Sequence, residues 1–259
     1  MPAVILARQL VHPIIMRKLI TITILAAIGG ACIAQSTIAP QPSASSQKYR
    51  AYREASTEPP FGLSRVRALV RKIKADSEDN QIMSAKDYNS LSLDEKFTYA
   101  MIHGEDFSQN CDASPPIVDE DKKIFANFPG AFGDEATWSE RQRQFLHNHR
   151  TKVIELLRST IKARHRVGVN LKQAIQELDA VELIPDLISL YSSDPRDRDI
   201  LTLLMLFMKD DLYMPFLESS IYKSLYGDES NYWASIALTP THQRTILDLA
   251  SKYSKSRKH

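Results

Sequence analysis

The densest group of reactive side chains in the 259-residue chain is His103-Gly104-Glu105-Asp106. Cys111-Asp112 follows closely, and Asp119, Glu120 and Asp121 lie beyond. A hydrolase could use His103 as general base, Glu105 or Asp106 to orient it, and Cys111 as nucleophile. His103 with two of the carboxylates could also ligate a metal. One neighbouring cysteine and no His-Glu-x-x-His run leave no zinc framework, however, so neither metal nor cofactor is expected. The same residues also describe a helix end, with Gly104 as the stop and His103 complementing the helix dipole, and this reading takes precedence over catalysis. No phosphate-cradling glycine loop, Gly-x-Ser-x-Gly elbow or EF-hand loop accompanies them.

Two further groups carry charge or ligating nitrogen. His147 and His149 stand two apart, so on a helix they face nearly opposite ways; they converge only in a turn, where His165 could join them. A polar turn between helices is the simpler expectation. Between residues 141 and 166 the chain holds Arg141, Arg143, Arg150, Lys152, Arg158, Lys162, Arg164 and Arg166 against one acid, Glu155. Arg158, Lys162 and Arg166 repeat every four residues and would share a helix face able to bind an acidic partner, lipid headgroups or an anionic glycan. Pairing of this stripe with the acidic stretch 105–121 would satisfy both charge biases internally and is the preferred expectation.

The elements that must position these groups are helical. Leu63, Val66, Leu69, Val70 and Ile73 form one apolar stripe with Arg and Lys opposite. Ser92 with Glu95 makes a capping box before Phe97, Ala100 and Met101. Thr137 with Glu140 predicts another helix start, Asn170 with Gln173 a third, and Asp194-Pro195 and Thr239-Pro240 each place a cap before a proline. Residues 200–208, ILTLLMLFM, are apolar nearly all round. Nine residues cannot span a membrane, so this is a buried central helix. Between 104 and 136 the period breaks into an irregular insert whose aromatics, Phe107, Phe125, Phe128 and Phe132, argue that it packs down. With no alternating strand pattern and hairpin turn, the predicted class is all-α, a multi-helix array or bundle.

One segment carries a resemblance. Residues 181–208 (VELIPDLISLYSSDPRDRDILTLLMLFM) place Pro185 and spaced aliphatics on one helix, then a short Asp-Pro turn, then a second helix opening with Arg and Asp. This resembles a HEAT-type unit. Neighbouring segments show no copy at a fixed period, where a solenoid needs about three units. The resemblance implies a short irregular α-solenoid and a protein-binding surface.

The start of the chain bears on location. Met16-Arg17-Lys18, the apolar residues 19–28 and small residues to Ala34 make a secretory signal peptide over 1–34, with Met16 expected as the true start. Gly29-Gly30-Ala31-Cys32 resembles a bacterial lipobox, although Gly29 stands where the pattern wants a larger apolar residue; if Cys32 is acylated the protein is membrane-anchored. The 33 basic and 31 acidic residues give +2, but residues 1–34 hold three basic residues and no acid, leaving 30 against 31. Nucleic acid is therefore not an expected partner. Residues 35–60, rich in Ser, Ala, Pro and Gln, predict a flexible linker to a helical domain over 61–259. The expectation is an exported periplasmic or secreted protein that binds another protein as a scaffold, inhibitor or immunity-type partner; the alternative is an envelope hydrolase built on His103, Glu105, Asp106 and Cys111.

Overall fold

In a computed structural model of the protein, residues 41–109, 117–133 and 135–257 are described, all within the compact unit Pro40–His259. Cys32, Cys111 and the whole expected leader lie outside them. The chain opens with α1 (Ala44–Glu54), α2 (Leu63–Val70), α3 (Ala85–Asn89) and α4 (Leu93–Ile102), and then enters the insert through β1 (Asp106–Phe107). After a 3-10 turn at Glu120–Lys122 come β2 (Lys123–Phe125) and β3 (Ala136–Thr137). The second half holds α5 (Glu140–Asn148), α6 (Arg150–Arg164), α7 (Val169–Glu177), α8 (Ile184–Ser193), α9 (Asp199–Asp210), α10 (Met214–Leu217), α11 (Ser220–Tyr226), β4 (Ser235–Ala237) and α12 (Pro240–Ser256).

The chain is thus an all-α multi-helix array, with α9 at its centre. Every residue from Ile200 to Met208 is buried to 3% exposure or less, and α7, α8, α10, α12 and β2 all pack on this one helix. Each Leu, Met or Phe so buried is worth roughly 1.5–3 kcal/mol against exposure. Elements remote in sequence converge on α9, so the architecture is bundle-like rather than a stack in which each unit meets only its neighbours. The turn before α9 differs from the expected Asp-Pro cap. Asp194 closes α8 and binds Arg196 through its carboxylate at 2.6 and 2.8 Å, and α9 starts five residues later. Among the described residues no helix is long and apolar enough to cross a membrane.

The insert packs down as its aromatics require: Phe125 and Phe128 are buried, and Phe107 and Phe132 half-buried. Two antiparallel ribbons hold it, with Asp106 opposite Thr137 and Phe107 opposite Ala136 in the first. In the second, Lys123, Ile124 and Phe125 pair with Ala237, Ile236 and Ser235. These strands have two or three residues, too few for an alternating sequence pattern to form.

The expected linker over 35–60 is corrected from its middle onward. Its low hydrophobicity fits a tether, yet α1 is docked by polar contacts that composition does not register. Arg53 is 4% exposed. Its Nε reaches both oxygens of Asp199 at 3.0 Å, its Nη1 reaches Glu120 at 2.6 Å, and the guanidinium lies 4.0 Å above the Phe125 ring. Residues 56–57 then run against Gly168, where a Cβ would meet the Thr57 nitrogen at 2.3 Å; only glycine allows that approach.

Candidate functional site

Around the first candidate cluster, helix starts and the ribbon decide the geometry. Ser92 and Glu95 cap α4 reciprocally, as predicted. The box expected at Thr137 and Glu140 is shifted two residues, to Ser139 and Gln142. That shift turns one face of α5 towards residues 103–105. Fully buried Gln142 donates to the His103 carbonyl at 2.8 Å and accepts from the Glu105 backbone nitrogen at 3.2 Å.

Glu105 is 1% exposed. It accepts from Ser139 Oγ at 2.5 Å, Tyr99 OH at 2.6 Å and Arg141 Nε at 3.0 Å, with a second bond from Arg141 Nη2. Arg141 is itself stacked on Tyr88, 4.2 Å from the ring centre. Burial pushes the Glu105 carboxyl up, but the bonds from Arg141, Ser139 and Tyr99 outweigh it and hold the group below the ordinary carboxylate range. The same contact, together with burial, drives the Tyr99 phenol well above its ordinary value. This carboxylate is spent on joining α4, β1 and α5.

His103 caps α4 in an extended conformation. Its Nε2 donates to the Gln81 carbonyl at 2.6 Å, and its ring rests 5.3 Å from that of Tyr99. Gly104 has no left-handed φ, so the helix stop does not depend on it in the expected way; its glycine matters because a Cβ would strike Thr137 O at 2.8 Å and Phe132 at 2.7 Å. Asp106 takes its place in the first ribbon. His103, Glu105 and Asp106 do line one open cleft of about 380 Å³, with Cys111 outside the described residues.

The histidine turn and the basic stripe resolve differently from the pairing expected. His147 binds Glu177 at 2.9 Å, and His149 joins α5 to α6 with its ring against Phe145. His165 closes α6 at φ 49°, so Arg166 leaves the helix on which Arg158 and Lys162 sit. Arg158 pairs with Asp186 at 3.0 Å. Arg166 donates to the Tyr52 and Ala55 carbonyls at 2.7 and 3.0 Å, and Lys162 is exposed. Among these basic residues it is Arg141 that meets the acidic insert, because Arg150 and Arg158 reach Glu182 and Asp186, and Arg164 and Arg166 reach carbonyls of the α1 region instead. Among the described residues, no three His, Cys, Asp or Glu side chains are placed to hold a metal ion.

A second concavity was not legible in the sequence. An open groove of about 510 Å³ runs between α5, α7, the end of α9 and the 127–128 segment. Its exposed walls are mostly polar, with Asn127, Arg143, Gln173, Gln176, Glu177 and Asp210; Tyr232 also lines it, and Phe128, Trp138 and Leu206 lie buried behind. Half-buried Arg143 makes no side-chain hydrogen bond or ion pair with any described residue. Tyr232, 57% exposed, is held by Asn127, whose Nδ2 donates to the Tyr232 carbonyl at 3.1 Å. Trp233 stands edge-on to it at 5.0 Å and also lies partly in solvent. The only sequence signal for this site is the pair of adjacent aromatics; the groove joins residues from 127 to 232, and no local spacing announces that. No protein-family model, curated protein or solved structure matches the chain.

Proposed function

We propose that the protein is a binding protein and that its ligand lies in the groove of Arg143, Gln173, Gln176, Glu177 and Asp210. One observation carries this reading: a half-buried guanidinium with five donors faces the groove and has no partner among the described residues. Its nitrogens are not among the buried side-chain atoms left without a partner, so they face solvent, and a ligand with matched acceptors can displace that water. The hydrolase alternative lacks a comparable feature, since His103 Nε2 is bonded to a backbone carbonyl and Glu105 to three side chains. Together with the leader read from residues 16–34, the proposal places the ligand in the cell envelope or outside the cell, within reach of an exported or Cys32-anchored domain.

The test is a ligand-detected NMR screen of short peptides and oligosaccharides against wild type, Arg143→Gln and His103→Ala. Ligands that bind wild type and His103→Ala but not Arg143→Gln are expected. Binding unaffected by Arg143→Gln, or turnover of a screened compound that disappears in His103→Ala, would reverse the assignment.

A further inference from the structure

Resting on that reading, we infer that the groove takes an acidic oligosaccharide: a chain of sugars carrying a single carboxylate. The lining selects this chemistry by excluding others. A protein partner needs an apolar or aromatic anchor site at the centre of its footprint, and here the apolar lining residues Phe128, Trp138 and Leu206 are themselves buried to 6% exposure or less, leaving the amides and carboxylates of Gln173, Gln176, Glu177 and Asp210 to face a ligand. Nucleic acid would bring a phosphate for every nucleotide into a groove holding one arginine against two carboxylates.

Sugars fit what remains. Each hydroxyl both donates and accepts, so it can give a proton to a carboxylate and take one from an amide. Glu177, bonded to His147, and Asp210, bonded to Gln176 and Lys209, each keep further lone-pair acceptor capacity. Gln173 and Gln176 use their Nε2 on the Pro129 carbonyl and Asp210, an arrangement that fixes each amide and turns its oxygen to other partners. Arg143 supplies the one demand neutral hydroxyls meet poorly, a planar fork matched to a carboxylate. Tyr232, which also lines the groove and is 57% exposed, is the aromatic residue there that a sugar's C–H face would meet.

The probes are 3′-sialyllactose, which carries one carboxylate, neutral chitotetraose and an acetylated acidic pentapeptide, each titrated calorimetrically into the folded protein. One saturable site for sialyllactose is expected, weakened about tenfold to a hundredfold by Arg143→Gln, the loss of one charge-assisted bidentate contact. Tyr232→Ala should weaken it by several-fold, with α-helical circular dichroism unchanged. Arg143-dependent binding of the pentapeptide alone, or equal binding of chitotetraose, overturns the acidic-sugar inference while leaving the groove as the binding site. Binding of none of the three with Arg143 dependence removes both.

Discussion

Arg141 and Arg143 stand two residues apart on α5, and their surroundings are opposite. Arg141 turns inward to a carboxylate that is fully enclosed, and its guanidinium is further stacked on Tyr88. Arg143 turns to the groove and meets no described partner. One helix therefore divides a region whose reactive groups are consumed by structure from a region whose polar groups are left over. The cluster densest in reactive residue types is the consumed one. Chemical suggestiveness in sequence and availability in the fold are separate properties, and the second depends on what the rest of the chain brings alongside.

The contrast can be broken by substitution, and the largest effect should come from a third arginine of the consumed kind. Arg53→Ala strands two buried carboxylates, Glu120 and Asp199, so a loss of about 4–5 kcal/mol in urea unfolding is expected. Hydrogen exchange should show α1 deprotected first. Arg141→Ala strands only Glu105, and its own side chain is partly exposed, so about 3 kcal/mol is expected. The double variant Arg141→Ala with Glu105→Gln should recover part of that loss, because the uncompensated charge is gone.

The Glu105 region should also contribute to the acid limb of stability. Its carboxyl is held below the ordinary range when folded. Its contribution is therefore present above the unfolded value, about pH 4.3, and lost as pH falls through the folded one. Denaturant midpoints measured between pH 7 and pH 3 should fall less steeply in Glu105→Gln than in wild type. His103→Ala removes one hydrogen bond and a ring contact, expected to cost about 1 kcal/mol. Arg143→Gln should move stability by no more than about 0.5 kcal/mol. A stability loss for Arg143→Gln equal to that for Arg141→Ala would erase the distinction between the two regions.

Much of the architecture was legible because it rests on periodicity. The all-round apolar run 200–208 announced the central helix, and Thr239-Pro240 announced α12, whose cap accepts from His242 as the pattern requires. Caps failed where a polar side chain had a better use in the interior. Asn170, expected outside its helix, lies inside α7 and is buried, joining both backbone groups of Thr57 to the Met101 carbonyl at 2.7–2.9 Å. The 35–60 linker failed for a related reason: Arg53 counts as polar in composition, yet its partners are 67 and 146 residues away. Glu105 was picked out for its chemistry, whereas Ser139, Gln142 and Tyr99, which surround it, carried no signal of their own. Beyond its adjacent aromatics the groove was illegible, because its walls come together only once α5, α7 and α9 have packed.

The distant anchoring of α1 has a consequence for synthesis. This helix emerges from the ribosome first among the described elements, but of the two carboxylates that fix Arg53, Glu120 is encoded 67 residues later and Asp199 146 residues later. At ordinary elongation of about 5–20 residues per second, α1 waits roughly 7–30 seconds before Asp199 exists. In that interval Glu120 and Asp121 are made and can receive Arg53 and Ser46, while Asp199 is still to come. The N-terminal helix therefore gains its anchors in two stages, the insert first and the central helix second.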